Sequence, residues 1–145
     1  MTDSLSLEEL FCRIVDLVLT EFSDIVADAQ LRFTYSGAVG KLRIFLKDES
    51  FIDIWLSASG KYSYHWEHRH VRGLIHRHDN APHNIWKKVE TFPKHFHDGN
   101  EENVKVSTIP DDAVSVVDYF LGFVRFSEEK SGQQNFILSS TFPLL

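Results

Sequence analysis

Only one cysteine, Cys12, occurs in the 145 residues. That excludes an internal disulfide and a multi-cysteine zinc site, so any metal chemistry would fall to histidines and carboxylates. Long hydrophobic runs are lacking too. The richest stretch, Ala113 to Phe126, has 14 residues and is broken by Asp118 and Arg125, whereas a membrane-spanning helix needs about 20 apolar residues. A basic-then-apolar leader is also missing, since the chain opens Met-Thr-Asp-Ser-Leu-Ser-Leu-Glu-Glu. These absences predict a cytoplasmic protein with no membrane partner. Repeats and low-complexity segments are lacking as well, and with 43% apolar and 25% charged residues collagen-like, disordered and coiled-coil classes drop out. A chain of this length forms one core and buries roughly two thirds of the surface that its unfolded form exposes, so a single domain over 1–145 is expected. The 13% aromatic content leans towards β-structure.

An excess of positive charge is the last thing missing: the net charge is −6, which argues against indiscriminate nucleic-acid binding. That average hides an asymmetry. Residues 61–97 carry seven Lys/Arg against three Asp/Glu, or +4, while the remainder carries eight against 18, or −10. All eight histidines lie between His65 and His97. A basic, histidine-dense third on an acidic scaffold suits an anionic ligand such as phosphate.

Periodicity predicts the elements. Ser6 and Glu9 form a capping box, and Leu7, Leu10, Phe11, Ile14, Leu17, Val18, Phe22 and Ile25 make a helical stripe, so a helix is expected over about 7–27 within an N-terminal segment 1–29. Alternation over 31–35, 42–46, 51–57 and 61–67, with polar or glycine-containing turns between, predicts a four-strand meander, and 74–78 adds a fifth strand. Between 79 and 109 the periodicity disappears, which predicts a long functional loop, with room for a helical turn near 85–89 and a short strand at 104–106. Thr108 or Pro110 opens a last helix to about Phe126 (segment 110–127). The tail, 128–145, contains Phe136-Ile137-Leu138, a candidate edge strand. The fold class is therefore α+β: an antiparallel sheet of about five strands, with the N- and C-terminal helices on one face and a His-rich loop beside it.

The candidate chemistry lies in three segments: Tyr62-Ser63-Tyr64-His65-Trp66-Glu67, Arg77-His78-Asp79-Asn80-Ala81-Pro82-His83 and Phe92-Pro93-Lys94-His95-Phe96-His97. On the fifth strand, period two places His76 and His78 on one face and Arg77 and Asp79 on the other. Asp can orient an imidazole, and Arg can hold a phosphate bidentately. His83, His95 and His97 could act as acid and base, because imidazole both takes and gives protons near neutral pH. RNA carries its own nucleophile, the 2′-hydroxyl, so a metal-free ribonuclease needs little beyond a base, an acid and a cation. No cofactor is then required. The same groups would serve another phosphate-transfer enzyme acting on RNA, and two alternatives remain open: a non-catalytic module that binds RNA or protein, and a His-ligated metal hydrolase. The metal would use His76 and His78 with His95 and His97, or His83 with Asp79. Tyr62, Tyr64 and Trp66 share a strand face. Trp66 is expected in the core and Tyr64 is a candidate phenolic donor near the cluster. Trp86 is a candidate to stack on a base or a partner, and Lys61, Arg69, Arg72, Lys87, Lys88 and Lys94 are candidate cations for RNA or a protein partner.

The run Arg-x-Asp-Asn-Ala-Pro-His followed by Phe-Pro-x-His-x-His, placed after such a sheet, resembles the TumE family, the toxin component of small bacterial and archaeal toxin–antitoxin pairs. The resemblance spans roughly Leu31 to Phe126. Where that family often has a second histidine, this chain has Asn84. The resemblance selects the Arg77 and Asp79 face, and it implies a growth-inhibiting toxin neutralised by an antitoxin with a helix-turn-helix domain.

Overall fold

The computed structural model describes residues 5–141, with side chains as far as residue 132. Helix α1, Leu7–Glu21, starts where Ser6 accepts a hydrogen bond from the Glu9 N–H at 3.1 Å, half of the expected capping box. It ends at Glu21 rather than near 27. The Ile25 and Val26 N–H groups both return to the Phe22 carbonyl in a tight turn, so Phe22 and Ile25 stay buried without being helical.

Seven strands follow in an antiparallel meander whose spatial order is the chain order: β1 Val26–Phe33, β2 Val39–Leu46, β3 Phe51–Ser57, β4 Tyr62–His68, β5 Leu74–Asp79, β6 His95–Gly99 and β7 Val104–Val106. A short helix α2, Arg69–Arg72, joins β4 to β5 through Gly73, whose φ of 73° favours glycine. The α+β expectation holds, with two more strands than expected. Within the region read as a loop over 79–109, the short strand expected at 104–106 forms as β7 and a 3₁₀ turn forms at Asn84–Trp86, close to the turn expected near 85–89, while β6 was not expected. Strand β6 escaped the periodicity reading because its inward residues on one face are histidines, which are ordinarily polar but here are buried.

Helix α3, Ala113–Thr141, opens on Asp112 instead of Thr108 or Pro110: the Asp112 carboxylate accepts from the Ser115 N–H at 3.0 Å and its hydroxyl at 2.9 Å. The helix runs through 136–138, so no edge strand forms there; residues 142–145 of the expected tail lie outside the described residues.

Helices α1 and α3 cover one face of the sheet. Phe11, Ile14 and Val18 of α1, with Val117, Phe120, Leu121 and Val124 of α3, pack on Leu42, Ile44, Ile52, Ile54, Tyr64 and Trp66. Gly40 lies beneath Phe11, where an added Cβ would collide with the ring. The other face carries the alternate residues of each strand, and among the described residues neither α1 nor α3 packs on it. No helix among the described residues is long and apolar enough to cross a membrane.

Candidate active site

Strand register assembles the open face. In the β5–β6 pairing Arg77 lies opposite His97 and Asp79 opposite His95, while on the other side His65 faces Arg77 and Ser63 faces Asp79. Residues opposite each other in an antiparallel pair share a face. The face predicted for Arg77 and Asp79 on β5 is thereby extended across three strands.

Asp79 is the hub. Its Oδ1 lies 3.0 Å from His95 Nε2 and accepts from the Ala81 N–H at 3.0 Å; its Oδ2 lies 3.6 Å from His97 Nε2 and accepts from Arg77 Nε at 3.0 Å. Burial alone would raise its pKa, but the bonds from His97, the Ala81 N–H and Arg77 outweigh this and hold it well below the usual carboxylate range. Each imidazole is fixed from behind. His95 Nδ1 lies 2.8 Å from the Pro93 carbonyl and His97 Nδ1 2.9 Å from the Glu101 carbonyl, so each Nδ1–H donates to main chain and each Nε2 is aimed at Asp79. The rings are deeply buried, with exposures of 1% for His95 and 3% for His97, and Trp86 lies over both at centroid distances of 6.2 and 5.8 Å.

Arg77 is clamped on its far side by Glu101, which accepts from the two terminal nitrogens at 2.9 and 2.6 Å. Burial opposes the Arg77 charge, but Glu101 and Asp79 raise its pKa overall; the same contact lowers that of Glu101. His65 accepts from Arg77 at 3.3 Å and is pushed down by burial. A cleft of about 620 Å³ opens above them, lined by Trp55, Ser63, His83 and Trp86 among others.

Of the sequence candidates, Arg77, Asp79, His95 and His97 are brought together, and His83 and Trp86 line the same cleft. Arg69, exposed, reaches Glu67 and Glu101 at 3.1 and 3.2 Å beside the Arg77 clamp. Lys61, Lys87 and Lys88 are exposed in the flanking turns. Three candidates fall elsewhere. Tyr64 packs in the core beneath the helices with 3% exposure, its pKa driven up by burial, because it has the parity of Trp66 and His78 rather than that of Asp79. Arg72 pairs with Asp48 at 2.5 Å and lies 5.3 Å from the Trp66 ring, at the opposite end of β4 from the cleft. Lys94 donates to the Ile109 carbonyl at 3.2 Å and reaches Asp111 at 3.4 Å.

The four-imidazole metal arrangement is also ruled out, since His76 and His78 project to the helix-covered face. There His76 bonds His68 at 2.9 Å, and His78 bonds Ser107 and stacks on Phe96. Missed by sequence reasoning were His65, whose parity with Ser63 could have revealed it, and Glu101, which no local pattern signals.

No curated protein and no solved structure matches the chain. The family model for the toxin TumE matches residues 14–128, most of the chain including every element of the cleft, and the chain therefore belongs to the TumE toxin family.

Proposed function

We propose that this toxin cleaves RNA without a metal, by proton transfer between imidazoles and the ribose-phosphate backbone. The observation that supports it best is the convergence of Arg77, His95 and His97 on the single carboxylate of Asp79 at the floor of the cleft. In this reading one imidazole takes the proton of the 2′-hydroxyl as its oxygen attacks the adjacent phosphorus. A second gives a proton to the departing 5′-oxygen, leaving a cyclic phosphate. His83 on the rim, His95 and His97 supply the base and the acid; Asp79 orients the rings, and Arg77 opposes the charge that builds on the phosphate oxygens. Trp86 must give way for RNA to reach the buried rings, and it then offers a face for a base to stack on.

The deep burial of His95 and His97 favours a second reading, in which they brace the strands and the basic rim only binds RNA or protein. Labelled single-stranded RNA incubated with chelator-treated protein separates the two. Cleavage that persists in EDTA and disappears in His97→Ala, with RNA affinity within a few-fold of wild type, supports catalysis. Intact RNA with affinity that falls as cations are removed supports binding alone.

A toxin of this family implies an antitoxin partner. The partner proposed, from the family resemblance alone, carries a helix-turn-helix domain. It is proposed to dock over 61–97, covering the basic rim with an acidic or aromatic segment.

A further inference from the structure

We propose that Asp79, His95 and His97 also form a binding site for one divalent transition-metal ion of the zinc type. One donor atom from each of the three residues lies within 4.8 Å of the others. Donors placed about 2.0–2.2 Å from a zinc-like ion stand roughly 3.2–3.6 Å apart in a tetrahedron. The separations from His95 Nε2 and His97 Nε2 to the Asp79 oxygens, 3.0 and 3.6 Å, bracket that spacing.

The backing of the rings carries the argument further. Both Nδ1–H groups are committed to main-chain carbonyls, those of Pro93 and Glu101, the arrangement that fixes the tautomer of a metal-ligating histidine. Each ring then points its Nε2 at a carboxylate oxygen, and an ion placed between them meets all three donors. Two imidazoles and one carboxylate suit zinc, cobalt or nickel, whereas magnesium and calcium prefer oxygen donors alone. The three ligands stand on adjacent hydrogen-bonded strands, which holds them in place, and the cleft leaves the remaining coordination positions open. Arg77 already holds Oδ2 at 3.0 Å, and this nearby guanidinium makes the site weaker than a structural zinc centre.

Metal binding stands independently of the ribonuclease reading; only its effect on cleavage rests on it. The test is titration of chelator-stripped, full-length protein with Co²⁺, followed by its visible absorption, and then with Zn²⁺ by calorimetry. One ion per chain is expected, with affinity lowered on the order of 100-fold in His97→Ala and in Asp79→Asn and unchanged in His70→Gln, which removes an exposed histidine remote from the trio. Circular dichroism and the unfolding midpoint establish that each variant is folded, and Asp79→Asn keeps the side-chain volume should His97→Ala fail. Absence of stoichiometric binding, or binding that survives both variants, overturns the site. Where stripped protein cleaves RNA, one equivalent of Zn²⁺ should slow cleavage by occupying the Nε2 atoms; acceleration overturns the metal-free reading. RNA left intact by stripped and loaded protein alike defeats the ribonuclease reading, while the titration alone still decides the metal site.

Discussion

The two faces of the sheet hold histidines in opposite circumstances. Beneath the helices, His68 stacks on Trp66 at a centroid distance of 3.5 Å and bonds His76, and His78 stacks on Phe96. Burial drives His68 and His78 down to about 3 and about 4, so these rings are neutral at physiological pH and behave as aromatic packing with satisfied hydrogen bonds, His68 to His76 and Arg72 and His78 to Ser107. On the open face His95 and His97 are buried as deeply, yet both Nε2 atoms meet one carboxylate that Arg77 also holds, whereas of the three helix-face rings His76 meets a carboxylate, Asp98 at 3.3 Å, with no arginine on it among the described residues. Burial thus does not separate the two sets; the convergence of rings and arginine on one carboxylate does, and strand parity decides that convergence.

The sharpest way to break this comparison is to exchange roles. Arg77→Ala or His97→Ala should lower RNA cleavage about 10²–10⁴-fold, whereas His68→Phe and His78→Phe should leave the cleavage rate near wild type; both are read from initial rates on labelled RNA in EDTA. Equal losses from the two faces would dissolve the distinction. Stability should respond the opposite way. Trp66→Ala removes the largest fully buried side chain on the helix face and should cost about 3–5 kcal/mol in urea unfolding, while Trp86→Ala, over the cleft, should cost much less.

A smaller effect sharpens the picture of the helix face through pH. Glu128 of α3 is pushed up to about 8, first by burial and then by the neighbouring Asp48, which Ser50 and Arg72 hold down at about 2 against the opposing effect of burial. A raised folded pKa means that the protonated form stabilises the fold. That contribution is complete below the ordinary glutamate value of 4.5 and is lost as pH rises through about 8. Glu128→Gln should therefore gain in unfolding midpoint relative to wild type as pH goes from 5 to 9; a constant difference would show that the Asp48–Glu128 contact is unimportant.

The smallest expected effect concerns the rim. Charge reversal at Arg69, Lys87 and Lys88 should slow antitoxin association and reduce its salt dependence, with the fold intact because all three are exposed. Arg72→Glu serves as the contrast: its pairing with Asp48 makes its loss a stability defect. Unchanged association at low and high salt would place the antitoxin elsewhere.

How much was legible beforehand follows the range of the forces involved. Alternation put Arg77 and Asp79 on one face because it is a property of the strand itself. The same rule, applied to Tyr64 and His78, would have assigned both to the core, but a tyrosine within a chemically rich segment looked like a donor. Strand β6 was hidden because its buried positions are His95 and His97, and hydropathy counts histidine as polar. Arg72 looked like a free cation in a turn, since Asp48, 24 residues away, gives no local sign of pairing with it.

The sequence by itself determined the succession and parity of the first five strands, the concentration of histidine and positive charge in one third of the chain, and the motif that marks the family. Each of these is written in neighbouring residues, through backbone dihedrals and side-chain type. Only the tertiary structure decided that the Arg77 and Asp79 face would stay uncovered, that β6 would pair with β5 so that His95 and His97 close on Asp79, and that Glu101 would clamp Arg77 from 24 residues away. Those outcomes depend on which face the helices bury and on the register between strands. Both are set by the packing of the whole core, which no short stretch of chain contains.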